Sequence, residues 1–356
     1  MKHTTPLVSV VVLNYNGENY LLNCLASVLK NDYSNYELIL VDNASTDKSL
    51  KLAETYFGGN PRLRIIQNKE NLGFSGGNNI GFQHSSGKYI VFLNNDTTVA
   101  SDWLTQLVNA MENDSTIGIA QSLIYTIDGE KIQTAGWLFS NYLLKKYGLF
   151  EGKPDTSLYK QTFEVSFVCG ASMIIRREIL EVMGAFDDRI PFFYDDTLLS
   201  LKTILAGKKV VTVSNSKVFH ISGATNVWKI RFTTYNLFKS NIVLLFDVYY
   251  KKMDLSKALM FNILHTAVMS FFNIQKKNVA AILGILEASV WGLMNYKFIW
   301  ENRVIHWSKA VISPEELKNK FIKVNLPIAF YLFPTKLNRE RFLTIIHSYE
   351  MSTIKR

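Results

Sequence analysis

Cysteine is almost missing from this chain: only Cys24 and Cys169 occur in 356 residues. Two distant thiols, each in an apolar stretch, read as reduced and buried, which excludes a disulfide-stapled scaffold and fits a cytosolic protein. Long uncharged apolar runs are missing too. Ala258–Phe272 is interrupted by Asn262 and His265, and Val279–Met294 by Glu287. Both fall short of the roughly 20 residues that cross a bilayer core, so interfacial or core helices are expected there rather than spans. The opening Met1-Lys2-His3-Thr4-Thr5-Pro6 lacks a signal-peptide pattern. Internal repeats and low-complexity tracts are absent. Charged residues make up 19% against 48% hydrophobic, a balance that excludes a disordered chain and allows a sizeable core.

The charge that is present is unevenly placed. Residues 1–226 hold 20 Lys+Arg against 22 Asp+Glu, a net of −2, whereas residues 227–356 hold 19 against 8, a net of +11. The basic third also carries Trp228, Phe232, Tyr235, Phe271, Trp291 and Trp300. Lysines among large apolar side chains favour a membrane surface over a phosphate backbone, and no nucleic-acid-binding module is recognisable. A chain of this length exceeds one typical domain. It is expected to form an α/β domain over residues 1–226 and a basic, amphipathic helical region over 227–356.

In the first region, apolar strands alternate with helical patterns. Val8–Leu13 is a β-branched run ending at Asn14-Tyr15-Asn16-Gly17, Tyr20–Leu29 has helical spacing, and Glu37–Val41 is a strand ending at Asp42-Asn43-Ala44. Ser45 or Thr46 is the predicted N-cap of the helix that runs to Phe57. Leu63–Ile66 and Lys88–Leu93 are predicted strands, separated by a Gly/Asn-rich loop and a short helix near Asn78–His84; Trp103–Met111 is helical. Short hairpin-like pieces are expected from Ile117 through Phe163, then a helix from Arg177, another over Asp196–Leu205, a last strand Lys209–Val213, and helices from Trp228. This order predicts a largely parallel sheet covered on both faces. Ligands of such sheets sit beyond the carboxyl ends of the strands, which is where the polar clusters of the first region fall.

Four clusters together resemble the family 2 glycosyltransferases, which share the GT-A fold: Val10–Tyr15, Leu40–Asp47, Gly87–Asp96, and Asp195-Asp196 with Gly207 beyond them. The resemblance covers roughly residues 7–225. The phrases Asn71–Asn78 and Val168–Met173 look most like rhamnosyltransferase-type members that build surface polysaccharides. The resemblance implies a GT-A (Rossmann-like) mixed, mostly parallel sheet flanked by helices. It also implies an inverting, metal-dependent hexosyl transfer from a nucleotide-diphosphate sugar, dTDP-rhamnose or a UDP-sugar, to a saccharide or lipid-linked acceptor. The enzyme would work at the cytoplasmic face of the membrane, held there through residues 227–356.

By that resemblance, Asp42 accepts a hydrogen bond from the donor's nucleobase and Tyr15 stacks beside it. Gly73 and Asn78, in the Gly-rich stretch, lie where backbone approaches sugar or diphosphate. Asn94-Asn95-Asp96 stands in the place of the family's Asp-x-Asp motif. Asn94 and Asn95 are then expected at the donor, and Asp96 with His220 at a Mg2+ or Mn2+ ion that neutralises the developing diphosphate charge. Asp196 is the expected base for the acceptor hydroxyl, with Asp195 orienting it or touching the acceptor. Where family members carry an acid two residues after the base, this chain has Leu198, followed by Lys202 in the place of the family's basic residue. The same acids have plain uses at turns and helix starts. A second reading is therefore a catalytically degenerate binding or assembly subunit on the same fold, drawing on Asn94 and Leu198.

Overall fold

β-branched residues line the strands, and their period-2 alternation decides which helix covers which face. In chain order the elements are β1 (Val8–Asn14), α1 (Leu21–Leu29), β2 (Tyr36–Asp42), α2 (Ser49–Phe57), β3 (Leu63–Gln67), α3 (Gly73–Gln83), β4 (Tyr89–Asn94), β5 (Thr97–Val99), α4 (Trp103–Asn113), β6 (Ile117–Thr126), β7 (Ile132–Thr134), β8 (Trp137–Ser140), β9 (Lys146–Gly148), β10 (Thr162–Glu164), β11 (Ser172–Arg176), α5 (Arg177–Met183), α6 (Asp195–Leu205) and β12 (Lys209–His220). After these come α7 (Ile230–Val248), α8 (Lys252–Gln275), α9 (Val279–Met294), α10 (Tyr296–Ser308), α11 (Pro314–Phe321) and β13 (Ile322–Val324). The structure is a computed structural model that describes residues 5–143, 146–154, 162–189, 194–221, 230–326 and 344–351. Trp228, where helix was expected to begin, lies outside the described residues.

The chain divides into two units. Residues 1–136, 148–203 and 208–224 form the first, and 137–147, 204–207 and 225–356 the second. The first unit is built on a sheet of order β10-β12-β6-β11-β4-β1-β2-β3, with β5 on β12 and β7 on β6. β3, β2, β1 and β4 run parallel. β11 is antiparallel between β4 and β6, and β12 is parallel to β6. The sheet is therefore mixed and mostly parallel. Val8, Val10 and Val12 pack into one core with Leu21, Leu25 and Val28 of α1 and Trp103, Leu107 and Met111 of α4. Val11 and Leu13 point the other way, onto α3.

Four local expectations change. The Gly-rich stretch is the body of α3, not a loop: a Cβ on Gly77 would lie 2.3 Å from Leu13, and one on Gly81 2.3 Å from Val11. Glycine lowers helix propensity, but here it lets the helix rest directly on β1, and packing wins. β6 is one buried ten-residue strand instead of hairpin fragments. β12 runs on past Val213 to His220, because its polar interruption is satisfied: the Ser216 hydroxyl donates to the Trp103 carbonyl (2.9 Å) and pairs with Ser122 (2.8 Å). α2 starts at Ser49, where Asp47 accepts from the Ser49 amide at 3.0 Å, so neither Ser45 nor Thr46 caps it.

The second unit is not helical throughout. β13 and β9 flank β8 in a three-stranded sheet, and Ser313 and Glu316 form a reciprocal capping box at the start of α11. α8 has 24 residues, a mean hydropathy of 1.3 in its most apolar window, and is long and apolar enough to cross a membrane by length and composition. The helix outlasts the apolar run seen in sequence because it continues through the polar residues at both ends. α9 and α10 pass the same criterion only jointly, with a 69° bend between them.

Gly81→Val is expected to destabilise the fold by about 3 kcal/mol, since stiff Val11 on a central strand cannot yield. Chemical denaturation measures this, and an unchanged midpoint would mean that α3 does not press on β1.

Candidate active site

The register of the parallel strands sets three polar ends side by side: Asn14 pairs with Asp42, and Leu13 with Asn94. Asn14 has no exposed surface. Its Nδ2 is shared among Asp42 Oδ1 (2.9 Å), Ser49 Oγ (2.9 Å) and Ser45 Oγ (3.1 Å), and its Oδ1 accepts from Asn95 Nδ2 (2.8 Å). The ends of β1, β2 and β4 are thus joined through one amide. Gly17 closes over this joint; a Cβ there would lie 2.3 Å from Asn14 Oδ1 and 2.7 Å from Asn95 Nδ2.

The loops after β1 and β2 are stitched together above that joint. Both turn through left-handed residues, Asn16 (φ 53°) and Ala44 (φ 61°). Ser45 Oγ accepts from the Asn16 amide, Asn16 Oδ1 from the Thr46 amide, and Asp47 Oδ2 from the Glu18 amide. Asp47 works against its burial, but donors from Ser49 and Glu18 hold its carboxyl below the usual range. Tyr15 stands on this rim, 40% exposed. Tyr20 lies below it, and burial followed by the charges of Asp96 and Asp47 pushes its ionisation up.

Asp42 itself is fully buried, with Oδ1 taken by Asn14 and Oδ2 by the Ser45 amide at 3.0 Å. The direct acceptor surface expected of it is not open. Gly73 and Asn78 are likewise buried, and Asn78 donates to the Phe74 carbonyl within α3. These three shape the rim from behind because strand register and helix packing turn them inward. Asn43 is a second hub: it donates to Asn71 and to the Gly73 carbonyl, and accepts from Asn68 and the Leu72 amide.

Asp96 and His220 meet through the antiparallel pairing of β5 with the distant β12. Thr97 pairs with His220, and the Ile221 amide donates to the Asp96 carbonyl at 3.1 Å. His220 Nε2 lies 3.1 Å from Asp96 Oδ1, yet no hydrogen bond forms there, and that oxygen is buried with none from any other group. Among the described residues no third His, Cys, Asp or Glu completes a metal cluster. Cys24, beneath the same strands, is held as a thiol by burial, its pKa pushed up to about 12, so it is no nucleophile.

Asp195 and Asp196 open α6 directly after Tyr194, a left-handed residue (φ 64°). Asp196 Oδ2 accepts from the Gly170 amide (3.0 Å) and Oδ1 from the Thr197 amide (2.6 Å). Gly170 precedes Ala171, whose carbonyl accepts from the Asn94 amide. Asp196 therefore sits on the same rim as Asn94–Asp96. Leu198 is 4% exposed, a core residue of α6. Lys202 Nζ donates to the Ala185 carbonyl at 2.7 Å, bracing the turn behind the site.

The sheet is mixed and mostly parallel, with Asp96 and Asp196 at its carboxyl rim. Residues 9–184 match the family model described as glycosyl transferase family 2. A Haemophilus influenzae protein described as an uncharacterized glycosyltransferase is 37% identical over 112 residues, 32% of this chain and 35% of that one. Staphylococcus aureus TarS 1–349, solved with UDP-GlcNAc, superposes with a TM-score of 0.54 at 17% identity, over 88% of this chain and 90% of that one. A mannosyltransferase from Pyrobaculum calidifontis, solved with GDP-Man and Mn2+, gives 0.52 at 16% identity, over 82% and 88%. Through residues 9–184 the chain belongs to glycosyl transferase family 2. The matches span less than two thirds of the length of its curated relatives.

Asp47→Asn is expected to lower the melting temperature at pH 7. A carboxyl depressed on folding stabilises above its unfolded pKa of about 3.9, and the contribution fades as pH falls through the folded value. The gap between wild type and variant should therefore narrow below about pH 4; a constant gap would deny Asp47 its ionised role.

Proposed function

We propose that this chain is an inverting hexosyltransferase. It takes a nucleoside-diphosphate sugar, dTDP-rhamnose or a UDP-sugar, and glycosylates a saccharide or lipid-linked acceptor in surface-polysaccharide synthesis. The carrying observation is the buried, unsatisfied Asp96 Oδ1 facing His220 Nε2 at 3.1 Å. Two ligands in neighbouring positions on an octahedral cation with bonds of about 2.1 Å are about 3.0 Å apart, so this pair fits a divalent ion. Mg2+ or Mn2+, when bound, supplies the positive charge that stabilises a departing diphosphate.

The chain's own residues do the rest. Tyr15 offers a ring to the nucleobase; Asp42, Gly73 and Asn78 set the backbone that surrounds the donor; Asn94 and Asn95 flank it. Asp196, oriented by the Gly170 and Thr197 amides, takes the acceptor's hydroxyl proton. The acceptor oxygen bonds to the anomeric carbon on the face opposite the diphosphate, and the breaking bond's electron pair leaves with the nucleoside diphosphate. Asp195 lies beside it for the acceptor. The burial of Leu198 favours this reading over a degenerate subunit, because the residue fills the core and takes nothing from the rim.

The second unit is proposed to hold the enzyme on the cytoplasmic face of the membrane. Ile263 (70% exposed) on α8 and Leu293 (77%) on α9 display apolar surface, with Lys276 and Lys277 between the helices. Exposed apolar side chains rimmed by lysine suit an anionic interface.

Asp196→Asn should lower transfer by about 10²–10⁴-fold while calorimetry finds donor binding largely unchanged; equal loss of both would make its role structural. Ile263→Asp with Leu293→Asp should abolish flotation with phosphatidylglycerol vesicles. Wild-type protein that fails to float would sink the membrane assignment.

A further inference from the structure

Gln133 lies in a stretch the catalytic reading does not use, yet the sheet delivers it to the candidate cation site. β7 pairs with β6 through Ile124–Thr134 and then Tyr125–Ile132, so one step on β6 matches two on β7. Gln133 is the extra residue, a β-bulge, the device that turns a side chain out of its normal alternation. Ile132 and Thr134 on either side are buried, whereas Gln133 is half-buried. On the other edge of β6, His220 pairs with Thr126. Across the strand, Gln133 Oε1 lies 2.9 Å from His220 Nδ1.

An amide oxygen can only accept, so Nδ1 carries the proton and, in neutral imidazole, Nε2 presents its lone pair. That lone pair faces Asp96 Oδ1. Two electron-rich atoms held in this way suit a divalent cation, whose alternative is a second proton on the imidazole closing an ion pair with Asp96. We infer that Gln133 is a positioning residue: it fixes the tautomer and ring plane of His220, so that Nε2 and Asp96 face one divalent ion. The inference rests on the reading of Asp96 and His220 as the cation site. Partners of this kind on a ligating histidine are worth about 10–100-fold in metal affinity.

Two measurements on the full chain separate this inference from the reading beneath it. Nitrogen-15 NMR of the metal-free protein should show His220 with the proton on Nδ1 alone. Gln133→Leu should show a mixture of tautomers, and an unchanged tautomer in that variant would overturn the inference whatever the metal does. Mn2+ titration followed by electron paramagnetic resonance should show binding weakened about 10–100-fold in Gln133→Leu. Gln133→Glu, which keeps an acceptor and guards against a folding defect, should restore it. Wild-type affinity in Gln133→Leu would also overturn the proposal. Mn2+ binding untouched by His220→Ala would instead overturn the cation site itself, and the inference with it.

Discussion

One buried amide, Asn14 at the end of β1, is the joint on which the rim depends. It sits in a fully enclosed position and meets a carboxylate, two hydroxyls and another amide at once. Such a cluster is stable only when complete, because a buried polar group without a partner costs about 1–3 kcal/mol and a buried charge more. Apolar replacement of Asn14 would strand Asp42 inside the sheet. The loops that carry Tyr15 and Asp47, and the segment that carries Asn95 and Asp96, would lose their common anchor. The rim is thus held by a residue that has no exposed surface of its own.

A division of labour follows. Polar residues facing inward (Asn14, Asp42, Asn43, Asn78) fix the backbone, and those at the edge (Tyr15, Asp96, Asp196, His220) are the ones proposed to meet ligands. Glycine takes part in the first task. Gly77 and Gly81 let α3 lie against β1, and Gly17 leaves room for the Asn14–Asn95 bond. In sequence Gly77 lies in the stretch expected to approach a ligand, but its missing side chain serves the protein's own packing.

Much of this was legible in the sequence. Strand–helix alternation gave the layered sheet, and polar residues at the end of each apolar run marked its carboxyl rim. What sequence could not reveal was direction. Asp42 and Asp96 both close buried strands, yet the register turns one inward onto Asn14 and leaves the other against His220. Asn14 carried a trace, as the first polar residue after the four apolar ones Val10–Leu13, but its role as a four-way joint needs the neighbouring strands. Gln133 carried none: a bulge depends on a partner strand, and its stretch read as loose hairpin. The length of β12 was also hidden, because Ser214-Asn215-Ser216 looks like an end until the buried partners of Ser216 are known.

That last strand bears on how the protein matures. Asp96 and His220 are separated by more than a hundred positions and become neighbours only when β12 zips onto β5 and β6. A ribosome-bound chain that has released β1 to β6 can pair only β1 to β4, because β6 joins the sheet through β11 and β12. The two proposed ion ligands stay apart until the first unit is all but synthesised. Ion capture by the proposed pair is accordingly a late event in biogenesis, coupled to closure of the sheet's far side.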